Sequence, residues 1–224
     1  MRKLILLMSV FIVFMTIDSS AQISGDAFDG TRYGFTKIPV RSGNEASIEG
    51  SAYYHEDFLP GTIQFADGKS LEGFMRYDVS KERIEIKMNK SSKDIYFLPS
   101  NADVTYQFDS SVYNFEEVVL NGSRKWGYVA QIFKGNSLRL VKIPSSIFIE
   151  EVKPKNGYGK SEPAKFEIKE EFLIQRNDEE WELLRLRHKN IKRMFKSAKA
   201  QDYLRNNKIR SEKDLIAFLQ SLDD

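Results

Sequence analysis

No cysteine occurs anywhere in the 224 residues. That excludes disulfides, thiolate metal sites and a cysteine nucleophile. It also excludes the cysteine-linked lipid anchor of bacterial lipoproteins, and it favours a bacterial envelope over a eukaryotic secreted origin. Histidine is scarce. His55 and His188 are the only two, and neither stands in a His-Glu-x-x-His motif. Gly-x-Ser-x-Gly elbows and phosphate-cradling glycine loops are missing as well. Gly157-Tyr158-Gly159-Lys160 is the nearest approach to the latter, but it lacks the remaining glycine and a following helix. The sequence therefore calls for no cofactor and no resident metal.

An excess of charge of one sign is also lacking. The first 21 residues carry two of the 34 basic and one of the 32 acidic residues, leaving 32 against 31. Such balance gives no electrostatic footprint for nucleic acid. Basic residues gather late, from Arg185 to Lys199, just after Glu179, Glu180 and Glu182, as on a solvated helix face. Beyond the first 21 residues no run is apolar enough to span a bilayer.

The start of the chain has the three parts of a cleavable export signal. Arg2 and Lys3 form the positive region, Leu4 to Ile17 the apolar stretch, and small Ser19 and Ala21 precede the predicted cut between Ala21 and Gln22. The apolar stretch rises about 21 Å as a helix, short of a hydrocarbon core of about 30 Å. Cleavage leaves about 200 residues, enough to bury a core without staples.

The mature chain divides by pattern. Residues 22–50 are polar and glycine-bearing, a loosely ordered lead-in with Phe28, Tyr33 and Phe35 available to cover the core. Residues 51–187 read as short strands separated by turn chemistry. Gly61–Phe65 and Leu71–Val79 flank Asp67-Gly68, and Tyr113–Leu120 and Trp126–Phe133 flank Asn121-Gly122. Arg83–Met88 alternates Ile84, Ile86 and Met88 with Arg83, Glu85 and Lys87, a strand with one wet face. Ile95–Leu98, Val104–Phe108, Leu138–Ile143, Ile147–Val152 and Ala164–Gln175 complete the set. Asp67-Gly68 and Gly73 recur as Asn121-Gly122 and Gly127 at an offset of 54 residues, which suggests two similar three-stranded units.

Residues 188–224 form a helical segment. Ala198–Asn206 is one helix, and Ser211-Glu212-Lys213-Asp214 resembles a capping box before an apolar stripe. Trp181–Leu186 fits either a helix or a hairpin turning at Asn177-Asp178; the reading preferred is strand to about Leu186 and helix from Lys189. The predicted fold is thus mainly β (α+β), an antiparallel meander, β-roll or open barrel of hairpin units with a short C-terminal helical cap.

For function, Tyr53, Tyr54, His55, Glu56 and Asp57 gather aromatic, imidazole and carboxylate groups and mark a candidate binding surface. Adjacent strand side chains point to opposite faces, so His55, Glu56 and Asp57 cannot all converge on one ion. The same alternation separates Glu116-Glu117, Glu150-Glu151 and Glu170-Glu171. Tyr77, Tyr96, Tyr106, Tyr113, Trp126 and Tyr128 fit core lining at strand spacing.

The stretch Gly61-Thr-Ile-Gln-Phe-x-Asp-Gly-Lys69, then Gly73–Tyr77, Tyr96-Phe97, and the tail Asp202–Ile209 with Glu212–Leu219 resemble uncharacterised secreted proteins of the Bacteroidota. The resemblance implies a Gram-negative periplasm or cell surface and supports a strand over Phe172–Leu186. It brings no activity with it. The expectation is a non-enzymatic envelope protein binding a protein or glycan partner. The alternatives are a carboxylate-dependent hydrolase using His55, Glu56 or Asp57, and a structural or assembly role.

Overall fold

A computed structural model describes residues 33–39, 48–100, 103–152 and 161–223. The export signal, its cleavage point at Ala21–Gln22, Phe28 and the Gly157–Lys160 loop lie outside the described residues.

Among the described residues, eleven strands and three helices follow in chain order: β1 (Thr36–Lys37), β2 (Leu59–Phe65), β3 (Ser70–Asp78), β4 (Arg83–Lys87), β5 (Tyr96–Phe97), β6 (Val104–Phe108), β7 (Ser111–Leu120), β8 (Ser123–Lys134), β9 (Leu138–Ile149), β10 (Lys165–Arg176), β11 (Glu182–Leu184), α1 (His188–Met194), α2 (Ala198–Asn206) and α3 (Glu212–Asp223). All the strands join one antiparallel sheet, in the order β1-β5-β4-β3-β2-β6-β7-β8-β9-β10-β11. Two meanders share it: one runs outward from β2 to β5, and the other from β6 to β11, joined by pairing of β2 with β6. The two units related by the 54-residue offset are β2–β3–β4 and β7–β8–β9, each a three-stranded meander.

Turn chemistry sets the hairpins. Asn121 and Gly122 both have positive φ, 51° and 74°, as a two-residue type I′ turn requires, and Asn177 and Asp178 do the same. Asp109 and Ser110, at 51° and 56°, form a turn of the same kind without the glycine that usually marks one. Leu186 is followed by α1, so the strand-then-helix reading of the ambiguous segment holds. Ser211 caps α3: its hydroxyl accepts the Asp214 N–H, while the Asp214 carboxylate accepts the Ser211 N–H.

The sheet curls. Tyr77 on β3 packs 6.0 Å from Tyr113 on β7 and 5.7 Å from Tyr128 on β8, although β2 and β6 lie between β3 and β7. Tyr106 joins them, and with Ile63, Leu71, Met75, Ile84 and Ile86 they form the first core. Burial pushes the hydroxyls of Tyr77, Tyr106 and Tyr128 above the usual phenolic range, so they stay neutral. A second core lies where Leu140, Phe172 and Ile174 meet Ile191, Leu204, Leu215 and Phe218 of the helices. A third, on the other face, joins Val118, Val129, Val141, Leu173 and Trp181. Asp223 ties the end of α3 to the β8–β9 hairpin, its carboxylate accepting the N–H groups of Asn136 and Ser137. Those bonds hold its carboxyl below the usual range.

Two sequence expectations change. Leu138–Ile143 and Ile147–Val152 are not two strands: β9 runs unbroken through Pro144, which pairs with Glu170 of β10. The charged face of β4 is not wet. Glu85 is 2% exposed and accepts from Arg76 Nε and Nη2 at 3.1 and 2.8 Å and from Arg83 Nη2 at 2.6 Å. The guanidinium of Arg76 lies 3.6 Å from the centre of the Tyr53 ring and 4.3 Å from that of Phe58, so the 53–58 segment roofs this face. The described part of the lead-in supplies edge strand β1, and Phe35 covers the first core as expected.

Candidate binding cleft between two strands

β8 and β9 pair along only part of their length. Their ladder runs from Lys134↔Arg139 to Ala130↔Lys142, with a bulge between Gln131 and Phe133, and then stops. Residues 123–129 of β8 and 143–149 of β9 continue as strand without pairing to each other. Pro144 is a physical cause. Ser137 C=O accepts from Asn177 on the β10 side, and Leu138 C=O accepts from Gly135 on the β8 side. The register with β10 has no shift, so the alternation persists and even-numbered residues of β9 direct their backbone groups toward β8. Beyond Lys142 the next such residue is Pro144, which has no N–H to give. On β8, the two-residue turn at Asn121-Gly122 makes Leu120↔Ser123 a hydrogen-bonded pair, so odd residues bond β7 and even ones face β9. Arg124, Trp126 and Tyr128 therefore present their N–H and C=O groups to the gap.

The gap opens a cavity of about 430 Å³, within the range of ligand sites. Tyr77 and Tyr128 line it from the first core, Val118, Val129, Ile143 and Leu173 from the opposite face. Gly127 borders it, and a Cβ added there would meet no atom within 4 Å. Trp126, Ile147 and Phe148 on the two strands are 51%, 38% and 48% exposed, unusual for large apolar side chains. Trp126 stacks on Phe115 of β7 at 5.7 Å. Lys125 pairs with Glu82 at 3.4 Å across the rim, and Arg124 with Glu117 at 3.7 Å. Glu171 lines the cavity, exposed and without an ion pair among the described residues.

The sequence-predicted surface at Tyr53–Asp57 lies elsewhere and divides. Tyr53 lies under Arg76, and the Glu56 carbonyl accepts from Arg76 Nη1 at 3.2 Å. Tyr54 and His55 reach the second meander. The Tyr54 hydroxyl donates to the Glu170 carboxylate, and His55 Nε2 lies 2.6 Å from Asp109 Oδ2. Burial, then the bond to Glu170, pushes the Tyr54 hydroxyl well above the phenolic range, so it remains a donor. Lys142, 12% exposed, completes the cluster, 3.6 Å from Glu170 and 3.3 Å from Glu212 of α3. This group straps the meanders and helices together. Glu56 and Asp57 are exposed, and His55, Glu56 and Asp57 do not converge. His188 Nδ1 instead accepts the Ile209 N–H. No group of three or more His, Asp or Glu able to hold a metal occurs among the described residues.

Paired acids part as strand geometry requires. Glu116 takes Arg139 in a two-bonded grip, while Glu117 faces Arg124. Glu170 joins the strap, while Glu171 borders the cavity. A second hollow of about 540 Å³ between β11 and α1 is ringed by Arg185, Arg193 and Lys196, with Glu182 beside them. The cleft itself escaped the sequence reading. Its signals were Pro144, Gly127 and the small Ser145 and Ser146 within strand-forming surroundings.

No family model, curated protein or solved structure matches the chain.

Proposed function

We propose that the protein is exported and acts in a bacterial envelope as a non-catalytic binding protein whose partner is another polypeptide seated in the β8–β9 cleft. The observation that carries this reading is the pair of strand edges, unpaired among the described residues, that flank a cavity of about 430 Å³, with Trp126, Ile147 and Phe148 exposed on the same two strands. Aromatic anchors beside a desolvated pocket are the usual source of binding energy between proteins. The lining mixes Val118, Val129, Ile143 and Leu173 with Ser80, Ser123, Ser145 and Ser146, so it is the row of main-chain donors and acceptors on the two strands, which an extended chain can pair, that favours a polypeptide over a glycan. The hydrolase reading has less support, because His55, Glu56 and Asp57 neither converge nor line the cleft. The signal-like start and the resemblance to secreted Bacteroidota proteins support the location.

A photoreactive phenylalanine in place of Trp126, activated in intact cells, tests the binding role. One discrete polypeptide adduct, lost when Gly127→Leu fills the cavity, is the expected result. Labelling of glycan, or adducts indifferent to Gly127→Leu, would refute it. The same preparations test export: mass spectrometry is expected to find Gln22 at the N-terminus, and a chain still carrying residues 1–21 would contradict it.

A further inference from the structure

We infer that the cleft takes its partner as an added β-strand, an extended peptide bonded along the β8 edge with β9 as the opposite wall. This rests on the binding role just proposed and specifies its mode. The terminal strands of the sheet are short: β1 has two residues and β11 three. Such brevity is a common way of blunting an edge. The long edges of β8 and β9 that stay unpaired among the described residues lie inside the sheet instead. On β8, Arg124, Trp126 and Tyr128 each offer one donor and one acceptor. On β9, Ser146 and Phe148 do the same, and Pro144 offers only its carbonyl. The fuller edge is β8, so pairing begins there. Main-chain pairing gives affinity in this mode, and alternate side-chain pockets give specificity.

The side chains fix the peptide's character. One face of the added strand meets Val118, Val129, Ile143 and Leu173 of the cavity lining, so its residues there are β-branched or otherwise apolar. Lys125 and Arg124 are already neutralised by Glu82 and Glu117. Among the described residues Glu171 is the lining charge left unmatched, so the peptide carries a basic side chain opposite it. The occupant is therefore an extended, largely apolar segment of another polypeptide with one Lys or Arg.

The test is selection of capped ten-residue peptides from a random library on the full chain, with counter-selection against Gly127→Leu. Expected winners alternate β-branched residues, carry one basic residue, and slow amide exchange at Trp126 and Tyr128 when bound. Methylating the backbone nitrogens that face β8 should weaken them at least about tenfold, as loss of one or two hydrogen bonds implies. Selection on Glu171→Arg, which leaves the cavity open should Gly127→Leu fail to fold, should replace the basic residue by an acidic one. Winners that tolerate N-methylation, or that keep their basic residue against Glu171→Arg, would overturn strand addition. The photocrosslink at Trp126 would still report a partner held in some other way. Concentration-dependent self-association that protects the same amides without peptide would overturn it in favour of a second copy.

Discussion

Glu85→Ala should lower the stability of the folded chain by about 3–5 kcal/mol, the usual cost of removing one partner from a buried ion pair. Glu85 is 2% exposed and holds both Arg76 and Arg83, whose side chains are 17% and 21% exposed. Among the described residues, truncation leaves Arg76, set against the Tyr53 and Phe58 rings, without a carboxylate, and leaves Arg83, over the Phe97 ring, with only Asp78 at 3.8 Å. Both side chains keep only a small exposed area, so water replaces the lost carboxylate only in part. Replacing all three side chains by apolar ones of similar volume should cost far less, because the loss comes from uncompensated charge. Urea melts of the single and triple variants measure this. A loss under about 1 kcal/mol for Glu85→Ala would match an exposed pair and refute the account of β4.

The second large effect is at Gly61, where β2 joins the two meanders by pairing with both β3 and β6. A Cβ there would overlap the Gln107 carbonyl oxygen and lie 2.6 Å from both Phe108 Cβ and Met75 Cε. The methionine end can yield, but the backbone carbonyl of the neighbouring strand cannot without opening the ladder. Gly61→Ala should therefore cost about 3 kcal/mol, the upper end of ordinary overpacking. Gly127 is the control. Its Cβ position is open space, so Gly127→Ala should be neutral or stabilising by up to about 1 kcal/mol, as expected for glycine replaced within a strand. Thermal melts of the two variants side by side decide it, and equal effects would contradict the cleft at β8.

Much of the fold could be read from local patterns, since turn residues and period-two alternation act over a few positions. Asn121-Gly122 and Asn177-Asp178 turn as expected, and Ser211 and Asp214 cap α3 reciprocally. The buried tyrosines 77, 106, 113 and 128 line the core, while Trp126 does not. The errors arose where a distant segment decides the environment. Alternation in β4 separates Ile84 and Ile86 from Glu85, but it cannot reveal that residues 53–58 fold over the charged side. Leu138–Ile143 and Ile147–Val152 read as two strands, yet Pro144 between them only removes a donor on one edge and leaves pairing with β10 intact. Tyr54 and His55 attracted notice for their chemistry, but their partners Glu170 and Asp109 are far along the chain and make them a strap. The cleft was invisible because it consists of missing pairing, which depends on the register of three strands at once.

The central claim is that β8 keeps a free backbone edge toward β9. Residue-resolved amide hydrogen exchange on the unliganded chain tests it directly. Gly127 and Val129 bond β7 and should be protected, as should Ala130 within the β9 ladder. Trp126 and Tyr128 should exchange at least about tenfold faster, a local opening cost near zero against one approaching that of the sheet. Exchange at Trp126 and Tyr128 as slow as at Gly127 and Val129 would mean that the two strands are zipped, and the cleft with its proposed partner would fall.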